Sequence, residues 1–362
     1  MGFCQNPKES KRNPVLLIIS NPLILVETST TPPTICSTAT WSENAITVAG
    51  GNGNGSALNQ LSYPNHIFVD DDDNVYIADN YNDRIVKWAP NAVSGELVAG
   101  GNGKGNNSNQ LSGPSTVFLD KERNIYISDN SNNRIQKWNS SASTGETIIG
   151  QFGPGENANQ FNESWGLFVD FSGSIYISDL WNHRVMKWVV DATMGTAVAG
   201  GYGPGGHPWQ LHYPEELFVD AAGDLYVADL GNHRIQKWAK DSQQGLTVAG
   251  GNGQGSNLTQ LNDPTSVVLD VSGNVFVTDY GNNRVVQWLA GAKTGRLIAG
   301  GSTGNGANQL DRPEGLQFDT KGNLYVADSH NQRVQKFIIS NNECNNSAAR
   351  FSSHAIVVWT WW

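Results

Sequence analysis

A chain of 362 residues is long enough for two or three domains unless it is an array of repeats. Only 15% of residues are charged and the formal net charge is −10, so the basic footprint that binds nucleic-acid phosphates or anionic membranes is missing. Three cysteines, Cys4, Cys36 and Cys344, form no CxxC pair and exclude a zinc knuckle or thioredoxin-type site at the motif level.

The chain starts with Lys8, Lys11 and Arg12 ahead of an apolar stretch at 14–26, PVLLIISNPLILV. Asn21 and Pro22 interrupt it, and it is too short for a membrane span, so residues 1–26 are read as a secretory signal or signal-anchor. A Ser/Thr/Pro-rich linker is expected at 27–40. The stretch VAGGNGNGS at 48–56 then looks like a phosphate-binding loop, but no helix follows to supply the N-terminus that a phosphate needs.

That stretch recurs. Glycine pairs stand at 50–51, 100–101, 200–201, 250–251 and 300–301, with Gly150-Gln151 as a diverged copy. Tyr76, Tyr126, Tyr176, Tyr226 and Tyr325 form a second column, completed by Phe276. Each unit of about fifty residues holds four short strands, illustrated by 217–219, 225–228, 234–238 and 246–249, with turns between them and no helical periodicity. The first two strands are apolar without alternation, which requires burial on both faces. Radial stacking of sheets supplies that burial, so the expected fold is an all-β, six-bladed β-propeller of four-stranded antiparallel blades, spanning 41–344 and followed by an apolar tail at 345–362. Trp88, Trp138, Trp188, Trp238, Trp288 and Phe337 end the third strands and are expected to fill gaps between blades.

Segments such as LYVADLGNHRIQKW (225–238) and IYISDLWNHRVMKW (175–188) resemble the NHL repeat, and the resemblance covers about 45–338. The motif histidine survives as His183 and His233 and is replaced by Asp83, Asn133, Asn283 and Gln332, which points to a turn position and not a ligand. The last unit lacks a fourth strand, whereas 41–50 is a fourth strand lacking the three before it. Pairing 45–49 beside 334–338 would close the ring and hide two exposed edges. Cys36 and Cys344 fall near the same connection, so a disulfide fastening the closure is expected.

Two acidic columns recur in register. One runs from Asp70 to Asp319 at the end of the first strands. The other runs from Asp79 to Asp328, each five residues before an arginine of the column Arg84 to Arg333. A function needed once is not copied six times, so both are assigned to turns and Asp–Arg pairing. The run Asp70–Asp73 lacks the interleaved spacing of a calcium loop and is read as a solvated turn.

Function should lie where the copies differ, on the loops entering the first strand and joining the second and third, which share one face. The candidate ligand-binding residues there are His66, Tyr81, Trp165, Trp181, Glu215, Glu216, Tyr280, Glu314 and His330. Aromatics mixed with acids suit a protein, peptide or glycan ligand, or a cationic group. The leading expectation is a non-catalytic, monomeric binding scaffold without cofactor, on the extracellular side, with membrane contact only through an N-terminal anchor. Sequons at Asn54, Asn106, Asn139, Asn162, Asn257 and Asn345 accord weakly with secretion. The alternative implied by six-bladed relatives is a metal-dependent hydrolase or lyase, lactonase-like or amidating-lyase-like, with its site in the axial channel. Catalytic zinc needs about three protein ligands, and His66 with Glu216 across the ring does not complete that set.

Overall fold

The computed structural model describes residues 32–342. The N-terminal apolar stretch, the C-terminal tail, Cys4 and Cys344 therefore lie outside the described residues. Six four-stranded antiparallel sheets and one two-stranded ribbon make up the fold. In blade 1 the strands a to d are Pro64–Val69, Val75–Asp79, Arg84–Trp88 and Glu96–Gly100. Blades 2 to 5 repeat this order at 114–149, 164–200, 214–250 and 264–300. Strand a of each blade lies against strand a of the next, and blade 6 lies against blade 1, so the ring is closed.

Blade 6 takes strands a to c from Pro313–Phe318, Leu324–Asp328 and Arg333–Phe337, and strand d from Ile46–Gly50. Ile46 pairs with Lys336 and Gly50 with Arg333, which is the expected joining of the chain ends. A further ribbon joins Thr40–Trp41 to Ile339–Asn341. Trp41 donates its indole N–H to the Gly322 carbonyl at 2.9 Å and packs edge-on against Phe276. Of the stretch read as linker, Ile35, Cys36 and Ala39 are buried against blades 5 and 6. The Cys36 N–H donates to Asn342 Oδ1 at 2.8 Å, and its sulfur lies 3.1 Å from the Asn342 carbonyl oxygen.

Strands a and b are buried almost throughout, strand c nearly so, while strand d shows its early residues to solvent. This gradient is what stacking wedge-like sheets about an axis produces. The third-strand aromatics are buried, and each tryptophan covers a glycine of the following hairpin. A Cβ on Gly95 would stand 2.7 Å from the Trp88 ring.

The repeated acids have the structural roles assigned to them. Asp70 Oδ1 accepts the backbone N–H of Asp72 and of Asn74, at 3.0 and 2.9 Å, an Asx-type turn found again at Asp220. The second column binds the arginine Nε at 2.6–2.7 Å in all six blades. The rest of each guanidinium holds the glycine-rich loop: Arg84 donates to the carbonyls of Ser56, Ala57 and Gln60. The phosphate-loop look-alike is thus closed by an arginine of its own protein. Gly100 has φ +70 and a Cβ there would meet the Asp83 carbonyl at 2.5 Å, so glycine is required at this exit from strand d.

Candidate functional site

Strand a carries one extra residue relative to strand b near its start. In blade 4, Pro214 pairs with Asp229 and Leu217 with Val227, so three steps on one strand oppose two on the other. The same slip occurs in every blade. A bulge of this kind re-aims side chains, and here it brings both the second and the third residue of strand a to the channel. Asn65 and His66, Glu215 and Glu216, and Glu314 and Gly315 accordingly line one small chamber on the axis with Trp165. Its volume is about 20 Å³, the space of a single water-sized group.

Opposite blades are matched across the axis at the third position. His66 of blade 1 meets the Glu216 carboxyl of blade 4 through Nε2. Blades 3 and 6 carry Gly166 and Gly315, where a Cβ would stand 2.5 Å from the Glu215 carbonyl oxygen and 2.8 Å from the Asn65 carbonyl oxygen. Each glycine thus lets its own strand approach the backbone of the next blade, which bears one member of the pair. Both His66 and Glu216 are 8% exposed, and His66 Nδ1 is buried without a hydrogen-bond partner.

The remaining candidates stand around the rim. Tyr81, 66% exposed, and Trp181, 48% exposed, lie on the single 3₁₀ turns between strands b and c, as do Tyr280 and His330. Tyr81 stacks on Tyr63, with ring centroids 4.3 Å apart, and His330 meets Tyr63 edge-on at 5.3 Å. Three blades round, Trp181 meets Tyr213 edge-on at 5.3 Å. Tyr63 and Tyr213, together with Arg312, were not among the sequence candidates. Arg312 lies 5.6 Å from the centre of the Tyr280 ring. All three occupy the residue before the proline that opens strand a, with φ of 51°, 54° and 48°. Reading that column would have shown Tyr63, Gly113, Glu163, Tyr213, Asp263 and Arg312, a varied position in a fixed repeat.

The chamber is acidic, with Glu216 buried and Glu215 and Glu314 half-buried. Burial, reinforced by the charge of Glu216 and opposed by Arg312, pushes the Glu314 carboxyl up to about 8. Burial and then the charges of Glu314, Glu216 and Asp263 hold Glu215 well above the usual carboxylate range. The Tyr280 hydroxyl is raised by burial first and Glu314 second. At about 8 the Glu314 carboxyl is largely protonated at pH 7, and a positive charge in the chamber would displace that proton. Among the described residues no three His, Cys, Asp or Glu side chains converge as metal ligands.

The model of the NHL repeat matches residues 211–238, 261–288 and 310–337. No curated protein matches the chain. Among solved structures, a protein of unknown function from Bacteroides thetaiotaomicron is similar with TM-score 0.63 at 14% identity, covering 82% of this chain and 76% of that one. A gluconolactonase from Xanthomonas campestris gives TM-score 0.60 at 12% identity, covering 87% and 97%. An auxiliary nutrient binding protein from B. thetaiotaomicron gives TM-score 0.60 at 13% identity, covering 87% and 76%. At these identities the likeness is one of fold. The chain thus carries NHL repeats at three matched positions, and its six blades, built on one pattern, form a six-bladed β-propeller.

Proposed function

We propose that this propeller is a non-catalytic binding scaffold whose upper face, the side of the turns between strands b and c, receives a protein or peptide through a primary ammonium group. The observation that carries this reading is the glutamate collar. Glu215, Glu216 and Glu314 line a narrow space of about 20 Å³, which suits the compact point charge of a lysine or N-terminal ammonium. Tyr63, Tyr81, Trp181 and Tyr213 around it offer the flat rim that anchors a chain lying across the opening. The fold likeness to an auxiliary nutrient binding protein is compatible with such a role. We place the protein outside the cell, with Cys36 and Cys344 joined; no described helix is long and apolar enough to cross a membrane.

A peptide array with lysine, arginine and norleucine at one position tests this reading. Lysine peptides are expected to bind, with affinity reduced about tenfold or more by Glu314→Gln and by Trp181→Ala. Equal binding of the arginine and norleucine peptides would remove the collar from the account. The metal-dependent hydrolase or lyase reading rests on the gluconolactonase likeness. It would gain from stoichiometric zinc or calcium that is lost in His66→Ala.

A further inference from the structure

The lower half of the axial channel has a different chemistry. The fifth residue of strand a reaches the axis there, as Phe68, Phe118, Phe168, Phe218, Val268 and Gln317. The four phenylalanines form a continuous arc, with ring centroids 5.2, 5.3 and 5.4 Å apart. Against the smaller Val268 and the polar Gln317 the arc stops, and a cavity of about 380 Å³ fills the space. Its inner end is the His66–Glu216 pair, which separates it from the upper chamber.

The mouth departs from the repeat in the same direction. The residue after the turn aspartate is Asp71, Lys121 and Thr320 in blades 1, 2 and 6, but Phe171, Ala221 and Val271 in blades 3, 4 and 5. Phe171 is 41% and Val271 54% exposed, and both line the cavity. On the charged side, Asp72 pairs with Arg123 and Asp73 with Lys321, so the acids first read as a solvated turn stitch three blades together. A turn alone asks for no apolar residues on three consecutive blades; Val271 is met in part by the chain's own Pro33, whose carbonyl accepts its N–H at 3.2 Å, and with Phe171 and Ala221 it makes an apolar mouth.

Charge decides what kind of ligand. Glu216, Asp220 and Asp270 line the cavity, whereas among the described residues no lysine or arginine does. An anion would meet three carboxylates, of which only Glu216 is held by a neighbouring imidazole, that of His66. A cation would meet aromatic rings and, at the inner end, Glu216. The volume lies within the range of about 300–1,000 Å³ usual for small-molecule sites. We infer that the lower chamber binds an apolar small molecule bearing one positive charge, at a site distinct from the upper face.

Three acridines of nearly equal size separate the contributions at pH 7.5: 9-aminoacridine is a cation, acridine is neutral and acridine-9-carboxylate is an anion. Fluorescence titration of the full chain is expected to give one 9-aminoacridine per chain, with acridine about tenfold weaker and the carboxylate weaker still. Gln317→Phe adds the ring that four blades already carry, and Val268→Phe does the same. Each is expected to lower affinity for 9-aminoacridine about tenfold or more with the melting temperature kept. Trp181→Ala and Glu314→Gln, on the upper face, should leave this binding unchanged while weakening the lysine peptide. Equal affinity for all three acridines, or binding untouched by both filling variants, would overturn the inference. So would loss of dye binding in the upper-face variants. Failure of every dye to bind would assign the chamber to the chain's own residues, and one dye per two chains would assign it to a contact between copies.

Discussion

The histidine that gives the NHL repeat its middle letter is an acceptor in this protein. His183, His233, Asp83, Asn133, Asn283 and Gln332 all sit in the left-handed region, with φ from 52° to 55°. Each accepts the backbone N–H of the residue before strand a of the next blade, at 2.6–3.2 Å. The column therefore staples neighbouring blades, and the substitutions preserve an acceptor atom while abandoning the ring. His183 must accept through Nδ1 from Tyr213, so it works as the neutral imidazole. His183→Leu is expected to cost about 1 kcal/mol in denaturant unfolding, and His183→Asn to recover most of it, because Asn133 performs this role in blade 2. Burial, and secondarily the charge of His212, hold the His183 imidazole below its ordinary 6.5. A folded value below the unfolded one means stability present above about pH 6.5 and lost as pH falls through the lowered value. The Asn variant should lose less stability than the wild type between pH 6.5 and pH 5. The sequence alone showed that the column was a turn; it did not reveal the partner, because the bond spans 30 residues to another blade.

At the scale of elements, strand count, blade boundaries and ring closure were all legible, since they follow from burial and from a repeat that fails at both ends. The bulge in strand a was not. It leaves no residue signature, because the same slip accommodates Asn-His, Ser-Thr, Trp-Gly, Glu-Glu, Thr-Ser and Glu-Gly. Yet the bulge brings Glu215 and Glu216 into one chamber, where simple alternation would have sent them to opposite faces. The closure itself is fastened by more than one strand pair. Cys36 is buried beside Asn342, two residues before Cys344, and Thr40–Trp41 pairs with Ile339–Asn341. Peptide mapping without reduction is expected to recover Cys36 and Cys344 in one linked fragment. A bond closing so long a loop contributes about 5 kcal/mol in the chain-entropy model, so reduction should lower the melting temperature; recovering both cysteines alkylated would show the ring closed by its strands alone.

The whole molecule is a sixfold frame carrying twofold and one-sided departures. Opposite blades share character at the upper face: His66 pairs with Glu216, and Tyr63 and Tyr213 each hold an aromatic rim residue. The lower face is split, charged over blades 6, 1 and 2 and apolar over blades 3 to 5. Comparing copies in sequence located the upper aromatics and acids. It did not find the lower chamber, because Phe68 and its equivalents read as ordinary core of a buried strand, and only the ring places them around a common axis.

The proton balance of ligand binding tests the central claim most directly. With its carboxyl raised to about 8, Glu314 is largely protonated near pH 7. An ammonium seated among Glu215, Glu216 and Glu314 favours the charged carboxylates and expels those protons. Calorimetric titration of a lysine peptide at pH 7, in buffers of different ionisation enthalpy, should show release of about one proton or more. The part released by Glu314 should fade by about pH 9, where that carboxyl is already ionised, and should be absent in Glu314→Gln. Binding with no proton release at pH 7, or with a release that Glu314→Gln leaves intact, would contradict the assignment of the glutamate collar as the ligand site.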